Sequence, residues 1–278
     1  MNDPALPAVG PARTRLSVIV ITKNEADRLT RCLASAAFAD EVVVVDSGST
    51  DGTPDLARRL GARVIETADW PGFGPQKNRA LDAARGDWVL SLDADEWLDD
   101  ALAAQVRRVV EEEAAPVAGA PVAYTLARLS SMCGRWMRHG DWYPDPVLRL
   151  FRRDAARFSD DRVHEHVVVA PGGRIGHLGG RRQGHLLHAS IASLDECLDK
   201  MNRYSAARAG QLRRRGRAGG LATAIGHGLW AFLRSYLLRR GFLDGRMGFV
   251  LAINGAEGTY YSYLKAADGP EGRPLAPP

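Results

Sequence analysis

Between Leu16 and Asp93 the chain alternates short runs of β-branched and aliphatic residues with longer segments of mixed character. Leu16 to Thr22 (LSVIVIT), Glu41 to Asp46 (EVVVVD), Ala62 to Glu66 (ARVIE) and Trp88 to Asp93 (WVLSLD) are the strand-like runs. Their unbroken apolar character predicts strands covered on both faces. The stretches between them, Ala26 to Phe38, Thr53 to Leu60 and Gln76 to Ala84, have helical composition, and Thr53-Pro54 puts proline in a first turn, where its missing N–H costs nothing. Strand and helix therefore alternate, which predicts an α/β fold: a Rossmann-like, mainly parallel sheet with right-handed crossovers.

After this half the pattern loosens. Leu98 to Glu113 reads as a helix, Val122 to Leu129, Val147 to Arg152 and Val163 to Val169 as strands, and Arg135 to Pro146 as an aromatic loop. From Ile191 the composition turns helical, over Ile191 to Arg215, Leu221 to Arg240 and Phe249 to Ala267. The expected organisation is a disordered leader over 1–15, an α/β domain over 16–190, a helical region over 191–267 and a flexible tail over 268–278.

Composition adds constraints. With 278 residues, 45% hydrophobic and 25% charged, the chain is large enough for one sizeable core, so one main domain with appendages is expected. Cys32, Cys133 and Cys197 are widely spaced and form no CxxC pair, which argues against a disulfide framework or zinc ribbon and for a reducing compartment. The first fifteen residues hold no apolar run of the signal-peptide kind, so a cytoplasmic location is expected. The net charge of +4 is unevenly placed: residues 201 to 248 carry ten arginines and one acid, Asp244, so the rest of the chain is net negative. Such a segment suits phosphate-rich partners, and charge alone does not choose between nucleic acid, anionic lipid and a phosphorylated glycan.

Three polar signatures fall at the carboxyl ends of predicted parallel strands, the edge at which open α/β sheets bind ligands. They are Thr22-Lys23-Asn24-Glu25, Asp46-Ser47-Gly48-Ser49-Thr50-Asp51 and Asp93-Ala94-Asp95-Glu96. Taken singly, the first and third would serve as helix caps and the second as a turn. Together on one edge they read as a single site. Alternation along an extended strand end turns Asp93 and Asp95 to the same side. Paired carboxylates there suit Mg²⁺ or Mn²⁺, which neutralises the charge that a leaving diphosphate develops.

The ordered motifs TKNE, DSGSTDGT, GPQKNRAL and LDADE resemble those of family 2 glycosyltransferases with the GT-A nucleotide-diphospho-sugar fold, over about residues 16 to 100. The resemblance implies a donor half over 16–100 and an acceptor half over 101–190. It implies that Asn24, Glu25, Asp46 and Asp51, with Thr22 and Ser49 beside them, hold the nucleoside of a nucleotide-sugar donor. Lys77 and Asn78 would lie near the pyrophosphate or base, Asp93 with its neighbour Ala94 would reach the ribose and metal region, and Asp95 would ligate the metal. Arg79 reads equally well as part of a solvated helix face.

Further on, Trp142-Tyr143-Pro144-Asp145, Val147 to Arg152, Val163-His164-Glu165-His166-Val167, His185 to Ser190 and Gly241 to Gly245 are similar to the branch that adds glucose to the heptose region of the bacterial lipopolysaccharide inner core. This likeness implies UDP-glucose as donor, a lipid-linked oligosaccharide as acceptor, and inversion by single displacement, in which one carboxylate takes the acceptor hydroxyl's proton. Glu165 is the expected base, with Asp145 and Asp141 as rivals. Trp142 and Asp145 are the expected acceptor contacts, and His188 would complete the metal site opposite Asp93 and Asp95. Another lipid-linked or polysaccharide acceptor, or sugar-nucleotide binding without turnover, are the alternatives.

Leu221 to Leu238 (LATAIGHGLWAFLRSYLL) raises the question of a membrane span, but a span needs about 20 mainly apolar residues, and His227 and Arg234 interrupt this stretch. With Arg213 to Arg217 before it and Arg239-Arg240 after it, the segment reads as an interfacial helix on anionic lipid at the inner face of the cytoplasmic membrane. The other reading is a helix packed on the protein with a basic rim. No nucleic-acid motif accompanies the arginines, so nucleic acid is not an expected partner.

Overall fold

The structure, a computed structural model, describes residues 15–112, 119–160, 165–216 and 219–268. The leader before Arg15, Val163 and His164 of the VHEHV motif, Arg217 and the tail after Asp268 lie outside the described residues. The chain forms two compact units, Met1–Ala127 with Pro146–Leu186, and Arg128–Asp145 with Leu187–Pro278.

In the first unit, β1 (Leu16–Thr22), α1 (Ala26–Ser35), β2 (Glu41–Asp46), α2 (Thr53–Arg59), β3 (Arg63–Glu66), α3 (Phe73–Ala83) and β4 (Trp88–Asp93) follow the predicted alternation. β1 pairs in parallel with β2 and β4, and β2 with β3. The continuous apolar strands are explained by their two covers. On one face Val18, Val20, Val44 and Leu90 pack with Leu29 and Leu33 of α1, and on the other Ile19, Val43 and Val89 pack with Ala80 and Leu81 of α3. Each such side chain stabilises the fold by about 1.5–3 kcal/mol when fully buried.

The helix expected from Leu98 starts later, because Glu96–Leu98 pairs as a short strand, β5. α4 (Asp100–Glu112) then begins behind Asp99, whose Oδ1 accepts the Leu102 N–H at 2.9 Å as a cap. Leu102, Val106, Val109 and Val110 form the buried stripe of α4. The turn into β4 needs Gly86: a Cβ there would stand 2.5 Å from the Ser17 nitrogen and 2.8 Å from the Trp88 oxygen. Only glycine lets the backbone approach β1 this closely.

Beyond α4 come β6 (Pro121–Met132), β7 (Arg135–Trp136), β8 (Asp145–Arg152), β9 (Ala156–Phe158), β10 (Val167–Val169), β11 (Arg174–Leu178) and β12 (Leu186–Ile191). The sheet runs β3-β2-β1-β4-β8-β6-β12-β5, with β8 antiparallel to β4 and β11 parallel to β6. The hydrophobic pattern does not predict β9, β11 or β12. β11 is concealed by Gly176, which pairs with Tyr124 and leaves room for its ring: a Cβ would lie 2.4 Å from Tyr124 Cε1. Within the expected aromatic loop, Arg135–Trp136 pairs with β6 and Gly140–Trp142 makes a short 3₁₀ turn.

The second unit holds α5 (Leu194–Arg214), α6 (Leu221–Leu233), a π-helical turn at Arg234–Leu238 and α7 (Gly245–Asp268). Ser193 starts α5: its Oγ accepts the Glu196 N–H at 3.1 Å while Glu196 Oε2 accepts the Ala192 N–H at 2.7 Å. Met132, Met137, Ile191, Cys197 and Leu251 form one core here, and Ala209, Leu212, Ala224, Tyr263 and Ala266 another. By contrast Leu221, Ile225, Leu229, Leu233 and Leu237, at i,i+4 spacing, and Trp230 beside them are each 43–61% exposed. No described helix is long and apolar enough to cross a membrane.

Gly86→Ala tests the close approach to β1. It should destabilise the protein by about 1–3 kcal/mol, the range of overpacked sites, as a lower urea midpoint at unchanged m-value. An unchanged midpoint refutes the contact.

Candidate active site

The carboxyl ends of β1, β2 and β4 carry the three signatures, and many of their polar side chains bond one another. Asp46 is buried, and its carboxylate accepts the Thr22 hydroxyl at 2.8 Å and the Ser49 N–H and hydroxyl at 2.8 and 2.5 Å. Asn24 adopts the left-handed conformation, φ 56°, which asparagine tolerates. Its N–H donates to Ser49 Oγ at 2.7 Å and its Oδ1 accepts the Thr50 N–H at 2.8 Å. Asp51 accepts the Ala26 N–H at the start of α1 and the Thr53 N–H and hydroxyl at the start of α2. The Thr53 hydroxyl, with these N–H groups, holds the Asp51 carboxyl below its ordinary range. Thr22, Asn24, Asp46, Ser49 and Asp51, expected as nucleoside contacts, thus clamp two loops together. The density of Ser, Thr, Asn and Asp in these loops is the signal for such local bonding.

Glu25 sits differently. Burial pushes its carboxyl up; Arg28 opposes this, and the negative charges of Asp95, Asp51 and Asp93 add to it. Burial, followed by Glu96, Asp93 and Asp95, also pushes the Cys32 thiol well above its ordinary value. The edge therefore carries a negative field around Asp93 and Asp95.

A chain of opposite charges runs beneath it. Glu96, with 0% exposure, meets Arg149 Nη2 at 2.8 Å, and its other oxygen accepts the Asp93 N–H at 3.1 Å. The same Arg149 nitrogen reaches Asp93 Oδ2 at 2.5 Å, while Asp93 Oδ1 lies 2.9 Å from Lys77 Nζ. Lys77, only 3% exposed, also donates to Glu165 Oε1 at 2.9 Å. α3, β4, β5, β8 and the segment before β10 thus meet in the order Glu96, Arg149, Asp93, Lys77, Glu165. Burial alone would push the Asp93 carboxyl up, but Arg149 and Lys77 outweigh it and hold the group well below the usual carboxylate range. Burial likewise lowers the Arg149 guanidinium, and Asp93 and Glu96 more than reverse this. Arg149 is the member of this charge chain that sequence reasoning missed; its signal was a lone cation inside the apolar run VLRLF, where a charge requires a buried partner.

Other expected site residues have other employment. The Asn78 side chain donates to the Phe158 carbonyl at 3.0 Å and accepts its N–H at 3.1 Å, pinning α3 to β9. Ala94 is buried in the core, and Arg79 pairs with Asp69 at 2.7 Å on the surface. In the second unit, Asp145 accepts from Arg128 Nε at 2.8 Å, Asp141 pairs with Arg234 and Arg239 at 2.7 and 3.0 Å, and His188 Nδ1 lies 2.9 Å from Ser130 Oγ. Among the described residues no three His, Cys, Asp or Glu side chains gather as a metal site.

The charge chain yields a prediction. Arg149→Met removes the cation that Asp93 and Glu96 share and should cost about 3–5 kcal/mol, as for other broken buried pairs. In the parent, the depressed Asp93 carboxyl contributes stability that is full above the ordinary value of about 4 and is lost as pH falls further. The variant lacks that contribution, so its deficit should shrink as pH falls below about 4. Urea unfolding across pH checks this, with Glu96→Gln/Arg149→Met expected to lose less than Arg149→Met. A pH-independent deficit below about 1 kcal/mol, the size of an exposed pair, would refute it.

The chain can be set beside known proteins on this geometry. A family model described as Glycosyl transferase family 2 matches residues 17–159. The lipopolysaccharide core biosynthesis glycosyltransferase LpsC of Rhizobium meliloti (strain 1021) is 32% identical over 257 residues, covering 91% of this chain and 90% of that protein. An uncharacterized glycosyltransferase of Rickettsia prowazekii (strain Madrid E) is 32% identical over 271 residues, covering 91% and 87%. Among solved structures, the mannosyltransferase PcManGT from Pyrobaculum calidifontis, in complex with GDP-Man and Mn²⁺, matches with TM-score 0.50 at 20% identity over 91% of this chain and 87% of that one, a likeness of fold. The parallel strands with their carboxyl-edge motifs are those of the GT-A fold, and the chain belongs to glycosyl transferase family 2.

Proposed function

We propose that this glycosyltransferase moves a hexose, glucose from UDP-glucose, to the heptose region of a lipopolysaccharide inner core, inverting the anomeric centre with the help of Mg²⁺ or Mn²⁺. The observation that carries the reading is Lys77, a buried ammonium held 2.9 Å from both Asp93 of the LDADE motif and Glu165 of the VHEHV motif. Two of its three protons serve these carboxylates, which leaves one for an oxygen of the donor diphosphate. LpsC, named for lipopolysaccharide core biosynthesis, supports the acceptor class. The GT-A fold, shared with a protein whose structure holds GDP-Man and Mn²⁺, supports a nucleotide-sugar donor and a divalent cation.

The donor set fits such a cation. Burial first, and then the charges of Asp95, Asp51 and Asp93, raise the Glu25 carboxyl, so this strand edge gathers acids. Asp93 and Asp95 would hold the ion, with further ligands from donor phosphates, the usual arrangement for Mg²⁺. When bound, the ion neutralises charge on the departing diphosphate. Glu165 takes the proton from the acceptor hydroxyl as that oxygen bonds to the anomeric carbon and the bond to the diphosphate breaks. Its rivals Asp145 and Asp141 are held by Arg128 and by Arg234 and Arg239, whereas Glu165 is held by Lys77 beside the LDADE motif.

Docking at the inner face of the cytoplasmic membrane follows from the exposed apolar stripe of α6 and the arginines around it. Such a helix lies in the interface with its apolar face in the acyl boundary.

Two experiments decide these readings. Incubation with a panel of sugar nucleotides, Mg²⁺ or Mn²⁺, and truncated lipopolysaccharide should give nucleotide release and a glycan heavier by one hexose. Asp95→Ala should lose the metal-supported rate, and Glu165→Gln should bind donor without transferring; a near-normal Glu165→Gln rate moves the base to Asp145. In vesicle flotation, the protein should bind phosphatidylglycerol-containing vesicles, release at high salt, and lose binding in Leu229→Ser/Trp230→Ser. Equal binding to neutral vesicles, or none to anionic ones, overturns the membrane reading.

A further inference from the structure

Trp70 and Phe73 are the exposed Phe, Tyr or Trp side chains among the described residues of the first unit, 44% and 41% exposed, whereas Trp88, Tyr124, Phe151 and Phe158 are buried there. The two rings meet edge to face, with centroids 4.9 Å apart at 90°. Such a pair leaves ring faces open to water and forgoes the gain of burial. The core does not call for them: Trp70 lies in the connection from β3 to α3, and Phe73 is the first residue of the helix.

This connection is tied down on both flanks. The Thr67 N–H donates to the Asp46 carbonyl at 2.8 Å, and the buried Gln76 amide donates to Ser47 Oγ at 3.0 Å and to Thr67 Oγ1 at 2.8 Å. Asp69 accepts from Arg79 through both carboxylate oxygens, at 2.8 and 2.7 Å. Gly72, with φ 122°, turns the chain into α3 in a conformation open to glycine. The aromatic pair is therefore anchored to the end of β2, and a pre-organised aromatic surface binds at low entropic cost.

Its place relates it to the charge chain. Phe73 and Lys77 stand four residues apart on α3 and so share a face of the helix, and Lys77 reaches Asp93 at 2.9 Å. Across the sheet, β3 and β4 are three steps apart, each of about 4.8 Å. A ligand lying along this edge meets Asp93 and Lys77 at one end and the aromatic rings at the other. A nucleoside diphosphate has that form, charged at the diphosphate and flat at the base. Asp46 is meanwhile spent on Thr22 and Ser49, and Asp51 on Ala26 and Thr53, so the face of the base is left to other residues.

We propose that Trp70 and Phe73 seat the nucleobase of the donor by stacking against it. The proposal rests on the glycosyltransferase reading and deepens it by naming the residues that recognise the base.

Calorimetry on the full chain with Mg²⁺, without acceptor, compares UDP, CDP, GDP and ADP with inorganic pyrophosphate, which has no base. At least one nucleotide should bind the parent at least about tenfold more tightly than pyrophosphate. In Trp70→Ala/Phe73→Ala that nucleotide should lose about fivefold to 150-fold in affinity, the range of base–aromatic stacking. Pyrophosphate affinity and the unfolding midpoint should hold, because both side chains are exposed. Trp70→Phe, which keeps a ring, should retain most of the affinity while losing the quenching of tryptophan emission by the nucleotide. The proposal is overturned if no nucleotide outbinds pyrophosphate, if the double variant binds the nucleotide as the parent does, or if it loses pyrophosphate equally. Loss of truncated lipopolysaccharide binding in place of nucleotide binding would make the rings an acceptor contact and overturn it too. Hexose transfer by the double variant with an unchanged donor KM would leave the proposed function standing without this inference. Nucleotide binding that depends on the rings, with no hexose transferred, would do the reverse.

Discussion

A carboxylate with no exposed surface persists as an anion only beside a cation, and Glu96 meets that requirement through Arg149. The guanidinium comes from β8, the carboxylate from β5, and the same nitrogen also holds Asp93 at the end of β4. Removing these charges from water costs several kcal/mol per ion, and their mutual attraction repays this only in good geometry. Their worth therefore lies in position more than in stability. Asp93 meets both Arg149 and Lys77, and Lys77 in turn holds Glu165, which lies 88 residues further along the chain than Lys77. A residue from the far part of the sequence is thus brought beside the donor motif by a single relay of ion pairs.

The loops above the relay divide the work differently. Asn24, Ser49, Asp51 and Thr53 bond across from the β1 loop to the β2 loop and start α1 and α2, so their side chains shape backbone. What remains at the edge is a set of acids, Glu25, Asp93 and Asp95, above a buried ammonium. A site with both signs of charge suits a ligand that carries both, and a metal-bound diphosphate is such a ligand. The low exposure of Lys77 matters here, since a desolvated cation interacts with phosphate more strongly than a solvated one.

How much of this is legible in the sequence depends on whether the cause is local. β1, β2 and β4 are legible because helices cover both faces, which forces unbroken apolar runs. The polar edge is legible because its motifs follow those runs directly. β11 is not, because Gly176 is chosen for the Tyr124 ring on a strand 52 residues earlier. Asn78 reads as a site residue, yet its amide serves the backbone of Phe158, a partner 80 residues away. Arg149 is not singled out by the sequence, since its meaning lies in Asp93 and Glu96. The membership of Arg128–Asp145 in the second unit is non-local in the same way.

The arginine-rich segment shows how structure alters the reading of a charge count. Its one acid, Asp244, is nearly buried and bonded to the His139 ring at 2.7 Å and the His139 N–H at 2.8 Å, so it does not offset the surface charge. Arg234 and Arg239 are spent on Asp141, and Arg213 donates to the Lys265 carbonyl. The cations available to a surface are therefore fewer than the sequence count, and they stand without acids from the same segment beside them. Near an anionic bilayer each contributes about 1 kcal/mol, whereas each large apolar side chain withdrawn from water contributes about 1.5–3 kcal/mol. On the proposed docking to a bilayer, the exposed Leu221, Ile225, Leu229, Trp230, Leu233 and Leu237 would supply most of the energy, and the arginines would decide which lipid surface receives it.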